Sequence, residues 1–320
     1  MSTANDVELA VRVAAYRRRR WLRPKYRSLY MMLIPGFAFL LVFSYLPMAG
    51  ISLAFFQYQF GRAIWEMPFV GLGHFDVLFG NPEFWRAFRN TIMISMGRLI
   101  IEFPAPVILA LLLNEVRHSG LKRTYQTVYT FPHFLSWIVV VGIMNGLFLS
   151  DGVVNQFLNV LGQPRVPFFT RGNWFLGLIF GSSLWKTVGW SAIIYLAAIA
   201  GINPELYDSA AVDGANRWQS MWNVTWPGMR GTVVVLLILS VGQLLNAGGG
   251  AAFDQIFNMY NPAVYSVADI IDTYIYRQSF QRGVNFGYST AVGLFKAVIA
   301  FFLVLVVNRA AKLVGEEGLF

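Results

Sequence analysis

Long apolar runs separated by polar segments are the main feature of this sequence. Six runs reach the length of about 20 residues that a helix needs to cross a hydrocarbon core about 30 Å thick. The clearest are GTVVVLLILSVGQLLNAGG and TAVGLFKAVIAFFLVLVV. The six runs lie at about residues 29–56, 91–113, 124–148, 174–199, 231–249 and 288–308. They predict an all-α fold, a polytopic membrane protein with six transmembrane helices.

The composition agrees with a surface that meets lipid. Hydrophobic residues make up 56% of the 320 residues and charged residues 13%, about half the charge of a soluble domain. The absence of cysteine excludes disulfides, thiol catalysis and cysteine metal sites. The three histidines are scattered, and the sequence has neither a Walker A loop nor a complete GxGxxG motif. We therefore predict no catalytic residue, metal site or cofactor in this chain.

Lysine and arginine are unevenly distributed among the segments between the spans. With the N-terminus inside the cell, the inner segments hold 15 of these residues and the outer segments 7. Much of the excess lies in RRRRWLRPKYR, Arg17 to Arg27. Because basic residues mark the cytoplasmic side, both termini are predicted to be cytoplasmic. The basic run is interpreted as a topology signal that contacts anionic lipid, in preference to a nucleic-acid binding site. Residues 5–16 are compatible with a short amphipathic helix on the membrane surface.

These patterns divide the chain into three predicted parts. Residues 1–28 form a basic N-terminal segment, residues 29–308 the six-span domain, and residues 309–320 a cytoplasmic tail. Within the domain, the predicted cytoplasmic loop 201–230 is long enough to contain its own helices.

Loop 201–230 begins with a helix signal. Asn203-Pro204 places a proline at the first helical position. We expect Glu205 and Asp208 in the first turn, where the helix dipole favours acidic side chains. Ala210, with its neighbours Ala211 and Val212, continues the helix.

The sequence Asp213-Gly214-Ala215 then interrupts this helix. Gly214 permits a sharp change of direction, and a second helix is predicted over residues 215–224. Its side chains Trp218, Met221 and Trp222 fall at positions i, i+3 and i+4 and form one bulky apolar edge. Pro227 is expected to end it. Such an edge fits either lipid headgroups or a cytoplasmic partner.

The stretch ELYDSAAVDGANRWQSMWNVTWPGM resembles the EAA loop, the signature of the membrane subunits of ATP-binding-cassette (ABC) importers. The family pattern is Glu-Ala-Ala, three residues, Gly, nine residues, Ile, one residue and Leu-Pro. Here the triplet is Asp208-Ser209-Ala210, the glycine is Gly214, and the last three positions are Val224, Trp226 and Pro227. This sequence departs from the pattern with Asp for Glu, Ser for Ala, Val for Ile and Trp for Leu. Each departure keeps the charge, the small size or the apolar character of the family residue. The resemblance extends over essentially residues 25–315.

This resemblance implies a type I ABC importer-like fold in the bacterial inner membrane. It implies a second homologous permease, commonly as a heterodimer, two cytoplasmic ATPase subunits that bind ATP and Mg, and an external substrate-binding protein. The loop would seat in a cleft of an ATPase subunit as a coupling helix, with Asp213 either contacting that partner or capping a helix. The coupling residues that it indicates are Glu205, Asp208, Ala210, Asp213, Gly214, Ala215, Trp218, Met221, Trp222 and Pro227.

A second stretch suggests the branch of the family. FDQIFNMYNPAVYSVADIIDTYIYRQSF, residues 253–280, resembles the outer loop of permeases that import oligosaccharides and polysaccharide fragments, alginate importers in particular. The permeases that it resembles have a shorter glycine segment before this loop, so residues 248–252, Gly-Gly-Gly-Ala-Ala, are an extension in this chain. The first outer loop, residues 57–90, is rich in aromatic residues such as Trp65, Phe84 and Trp85. It fits either a binding-protein contact or an interfacial aromatic belt.

Polar residues inside the spans are candidates for a sugar path. Arg98 and Glu102 are spaced to pair on one helix face, and Lys186 is expected to reach towards the outer interface. Lys296 is the remaining charge in a span, and Pro104 and Pro106 predict a kink in the second span. The path candidates are Asn145, Trp185, Trp190, Tyr195, Gln243 and Asn246. Helix packing is the alternative role for each of these residues.

Two other classes of protein fit the sequence less well. A membrane-embedded glycosyl or acyl transferase needs acidic residues and histidines that converge at a membrane face, and the acidic cluster in loop 201–230 has no histidine near it. An ion-coupled secondary transporter is commonly built on internal repeats, which this chain does not show.

Overall fold

The computed structural model describes residues 24–246, 251–283 and 285–313, which form helices and one isolated β-bridge, between Phe56 and Phe69. The predicted amphipathic helix 5–16, residues 17–23 of the basic run, Gly248–Gly250 and residues 314–320 lie outside the described residues. The α-helices of the described part are α1 Pro24–Leu40, α2 Gly73–Phe79, α3 Pro82–Ile101, α4 Pro104–Asn114, α5 Ser119–Thr130, α6 Trp137–Phe148, α7 Val153–Val160, α8 Gly172–Ala200, α9 Pro204–Val212, α10 Arg217–Ser220, α11 Trp226–Gly242, α12 Ala251–Met259, α13 Tyr265–Ala268, α14 Ile271–Tyr276 and α15 Phe286–Leu313. Segments of π-helix cover Leu41–Tyr45, Met221–Thr225 and Arg277–Gln281, and the longest 3₁₀ segment covers Leu46–Phe55.

Six helical segments of the described chain are long and apolar enough to cross a membrane, and they confirm the predicted all-α, six-span architecture. They are Ser28–Phe55, Pro82–Asn114, Trp137–Val160, Gly172–Ala200, Arg217–Gly242 and Phe286–Ala310. We call the end of the bundle that carries residues 201–216 the elbow end.

The second span starts earlier than predicted. It begins at Pro82 instead of residue 91, because Asn81 caps the helix by accepting a hydrogen bond from the Glu83 amide at 2.9 Å. The first turns of this helix contain charged residues, so in the sequence they were assigned to the preceding loop. The span is interrupted for two residues between Ile101 and Pro104, at the place where the prolines were expected to kink it.

The predicted third span, 124–148, is two helices. α5 ends at Thr130, a 3₁₀ turn covers Phe131–Phe134, and α6 begins after Ser136, whose hydroxyl accepts from the Val139 amide. Lys186 of α8 lies against this break. Its ammonium donates to the carbonyl oxygens of His133 and Leu135, at 2.6 Å each. The expectation that Lys186 reaches the outer interface is therefore wrong: its charge satisfies carbonyl groups that the broken helix leaves unpaired.

The fifth span is continuous with the second helix of loop 201–230. The prediction that Pro227 ends this helix is wrong, because the chain remains helical from Arg217 to Gly242. The π-turn Met221–Thr225 precedes the proline, and the Trp226 amide closes it by donating to the Met221 carbonyl. A proline cannot donate to the carbonyl four residues before it and collides with that turn. The wider π-turn accommodates it.

Three apolar clusters hold the spans together. One joins α6, α8 and α12, and a second, at the elbow end, joins α4, α8 and α11. The third contains Phe84, Leu78 and Tyr274. Phe84 is fully buried there, so it belongs to neither of the surfaces suggested for the aromatic first loop, whereas Trp65 is 85% exposed.

A buried ion pair lies within residues 253–280, and Asn90 ties the same segment to α3. The two terminal nitrogens of Arg277 donate to the Asp269 carboxylate, one of them at 2.9 Å, and both side chains are buried. Burial alone would lower the pKa of Arg277, but the hydrogen-bonded Asp269 carboxylate raises it above its usual value. The Asn90 amide of α3 donates to the Asp269 carbonyl at 3.2 Å.

Candidate coupling site and intramembrane cavity

We define residues 201–230 as the elbow. Its first helix is α9. Its N-cap is Asn203, whose side-chain oxygen accepts from the Glu205 amide at 3.1 Å while its amide donates to the Glu205 carboxylate. Glu205 lies in the first turn as predicted. Asp208 does not, because it is the fifth residue of the helix. It is exposed on α9, where no side-chain partner among the described residues holds it.

A glycine turn follows α9. Gly214 has φ +78°, the left-handed conformation that the predicted change of direction requires. The Ala215 amide donates to the Ala210 carbonyl at 2.9 Å, which closes the end of α9. Asp213 is exposed and ends α9 through its backbone amide, which donates to the Ser209 carbonyl.

The cap of the second helix is Asn216, a residue that the sequence analysis did not select. Its side chain accepts from the Gln219 amide at 3.0 Å, and the Gln219 side chain accepts from the Asn216 amide at 2.7 Å. This reciprocal capping box could be found in the sequence from the spacing of Asn216 and Gln219.

The predicted apolar edge consists of two tryptophans. Trp218 is 65% exposed and Trp222 is 57% exposed. Met221 was expected beside them but is buried in the elbow-end cluster with Val107 and Met229. The spacing of three to four residues predicted Met221 on the same edge as the tryptophans. In the structure its side chain points to the buried cluster instead. The edge therefore offers two indole rings to a partner, while Met221 anchors the helix.

The elbow is tied to two different spans. Arg217 donates from its guanidinium to the Glu115 carbonyl at 2.5 Å and lies 2.9 Å from the Glu115 carboxylate, at the end of α4. The Tyr207 hydroxyl of α9 lies 3.0 Å from the Thr225 hydroxyl in the π-turn. Displacement of the elbow would therefore act on the second and fifth spans together.

A cavity of about 280 Å³ lies between α3, α4, α8 and α11. Arg98 and Glu102 line it, with the Arg98 Nε 3.6 Å from the Glu102 carboxylate. The Ser183 hydroxyl donates to Glu102 at 3.0 Å. Hydroxyl groups of α8, such as that of Ser191, line the same space. The cavity wall is mostly apolar, but it brings an ion pair and several hydroxyl groups together inside the spans, as a sugar path requires.

The cavity wall is held by a residue that the sequence analysis missed. Gln255 of α12 is fully buried and accepts a hydrogen bond from the Arg98 guanidinium. Its amide donates to the Ile179 carbonyl at 2.7 Å and to the Ser182 hydroxyl at 2.9 Å. These partners are distant in sequence, so no local pattern indicates them.

The predicted path residues do not form one site. Tyr195 lines the cavity, whereas Asn145, Trp185 and Trp190 do not. Trp190 stacks on His133, with the ring centroids 4.4 Å apart. Gln243 is not among the lining residues, and the side chain of Asn246 lies outside the described part of the chain. The ammonium of Lys296 pairs with Asp272.

Comparisons with known proteins agree with this geometry. Residues 102–316 match the family described as binding-protein-dependent transport system inner membrane component. Protein LplB of Bacillus subtilis is 43% identical over 96% of this chain and 93% of its own length. The polygalacturonan/rhamnogalacturonan transport system permease protein YteP of the same organism is 42% identical over 92% of this chain and 90% of its own.

A solved structure extends the similarity to three dimensions. A chain of a bacterial alginate ABC transporter, in complex with a periplasmic protein bound to an alginate pentasaccharide, has a TM-score of 0.83 and 40% identity. The match covers 94% of this chain and 98% of that one. The chain therefore belongs to the binding-protein-dependent transport system inner membrane component family, as a non-catalytic permease subunit of an ABC importer.

Proposed function

We propose that this chain forms half of the translocation pathway of an oligosaccharide importer and that its elbow receives the movement of an ATPase subunit. The observation that carries the proposal is the edge of Trp218 and Trp222, which is exposed on a helix continuous with the fifth span. Clustered aromatic side chains of this kind are typical anchors at protein interfaces.

The contacts of the elbow suggest how movement would reach the pathway. A force on α10 passes through the π-turn into α11 and, by way of Arg217 and Glu115, into α4. Both α4 and α11 line the cavity that contains Arg98 and Glu102. Docking at the tryptophan edge would therefore change the shape of the cavity wall without any chemistry in this chain.

The complete importer would need partners that supply energy and substrate. We infer a second homologous permease, as a heterodimer, two cytoplasmic ATPase subunits that bind ATP and Mg, and an external binding protein. The orientation inferred for this assembly has both termini and the elbow in the cytoplasm, which the excess of Lys and Arg in the inner segments supports.

The substrate inferred is an acidic oligosaccharide that contains uronate units. Support comes from the relative that transports polygalacturonan and rhamnogalacturonan and from the solved alginate transporter. The Arg98 guanidinium at the cavity wall would reduce the cost of passing a carboxylate through the membrane.

Reconstitution of the chain with its ATPase and second permease tests this function. Replacing Trp218 and Trp222 by Ala should abolish co-purification of the ATPase and ATP-driven uptake, while the chain still inserts into the membrane. Trp65→Ala is the control for ATPase co-purification, because Trp65 is also an exposed tryptophan but lies outside the elbow. Uptake driven by a proton gradient alone, with no associated ATPase, would refute the proposal.

A further inference from the structure

A groove between α5 and α8 adjoins the elbow and has no role in the pathway described above. It consists of two cavities, of about 400 and 620 Å³, that share Gln126 and Leu196. The cavity nearer the elbow is lined by polar groups that include Lys122 and Tyr207. The other is lined mainly by apolar side chains such as Phe134. The groove is therefore polar at one end and apolar at the other.

Lys122 supplies the charge at the polar end. Its side chain is half-buried, and its ammonium makes no hydrogen bond or ion pair with any described residue. Arg217 of the elbow is already paired with the Glu115 carboxylate, so it does not supply an unpaired charge to the groove. A partly buried ammonium without a partner favours an anionic ligand, because a ligand that covers it would remove the charge from water and must supply a counter-charge.

The dimensions of the groove fit one amphiphile. From Lys122 to Phe134 the chain passes through eight residues of α-helix and a 3₁₀ turn, a length of about 20 Å. One leaflet of a bilayer has about 15 Å of hydrocarbon. The remaining length accommodates a headgroup at the Lys122 end.

The position of the groove on α8 favours lipid over a polypeptide. Ser183, Thr187 and Ser191 of α8 face the cavity that contains Arg98 and Glu102. Ile193 and Ala197, which line the groove, project from a different and apolar side of the same helix. The surface away from a polar pathway is where a membrane protein meets the bilayer.

We propose that this groove binds an anionic glycerophospholipid of the cytoplasmic leaflet, with its phosphate at Lys122 and one acyl chain along α5 and α8. The leaflet rests on the orientation given under the proposed function, but the binding does not depend on transport. The headgroup would lie beside Tyr207 of α9 and therefore against the elbow itself.

The test is native mass spectrometry of the full chain purified with phosphatidylglycerol or phosphatidylcholine. We expect phosphatidylglycerol to be retained preferentially and Lys122→Gln to reduce its retention about fivefold, the effect of one basic residue near an anionic headgroup. Ala197→Phe should also reduce retention, because it fills the apolar half without changing charge. Arg123→Gln is the matched control, since Arg123 is the adjacent base on α5 but does not line the groove.

Three results would overturn the proposal. Equal losses in Lys122→Gln and Arg123→Gln would mean that surface charge alone attracts the lipid. Equal retention of phosphatidylcholine would remove the role of the ammonium. A cross-link from a cysteine at Ala197 to the second permease would show that a protein segment fills the groove. Lipid retention is measured without ATPase or sugar, so a failure of ATP-driven uptake leaves this result unaffected.

Discussion

Gly214 offers the sharpest perturbation of the elbow. Its φ of +78° is a conformation that costs a residue with a side chain about 1–2 kcal/mol. No atom lies within 4 Å of the position that a Cβ would occupy, so a substitution introduces conformational strain without a collision. A strain of that size shifts an equilibrium roughly 5- to 30-fold. Gly214→Val should therefore rearrange the turn between α9 and α10 while the spans remain folded.

The assay is uptake and ATPase co-purification by the reconstituted importer. We expect Gly214→Val to reduce ATP-driven uptake by roughly 5- to 30-fold. Gly214→Asn is the control, because asparagine tolerates the left-handed conformation and should retain most activity. If the Val and Asn variants transport equally well, the geometry of the turn does not matter for coupling and the reasoning is refuted.

Four further substitutions have expected outcomes of different kinds. Met221→Ala should lower the free energy of unfolding by about 2–5 kcal/mol, and an unchanged Tm would contradict its placement in the core. Asp269→Asn leaves Arg277 without its buried counter-charge, so thermal denaturation should show a loss of about 3–5 kcal/mol; wild-type stability would argue against the pair. Gly189→Val would place its Cβ 2.2 Å from the Tyr129 carbonyl, so folded yield in detergent should collapse, and normal yield would disprove this close approach. Arg217→Ala should change stability by under about 1 kcal/mol yet lower ATP-driven uptake, whereas unchanged uptake would show that the contact with Glu115 transmits nothing.

Much of the membrane architecture could be predicted from the sequence because lipid imposes a simple length and polarity requirement on each span. The elbow was predictable for a similar reason. The order of a proline start, Gly214 and a tryptophan edge describes a local structure that needs few distant contacts. The π-turn was not predictable in this way, because Pro227 ordinarily ends a helix and only the continuation into α11 shows that it does not.

Long-range contacts account for what the sequence did not reveal. Lys186 has a long charged side chain of the kind that usually extends to the membrane interface. The carbonyl groups that bind it belong to residues more than fifty positions earlier in the chain. Gln255 joins α12 to α3 and α8, and nothing near it in the chain indicates those partners. Met221 was assigned to the wrong side of its helix because the periodic spacing is the same for an exposed edge and for a buried one.

The central claim is that the elbow faces the cytoplasm, where an ATPase subunit can dock. The chain has no cysteine, so a single cysteine at Val212, a residue that is 88% exposed at the end of α9, can be labelled with a membrane-impermeant maleimide. The account predicts labelling in inside-out vesicles and none in intact cells. A cysteine at Val160, 82% exposed at the end of α7, should show the opposite result. Labelling of the Val212 position from outside intact cells would contradict the account.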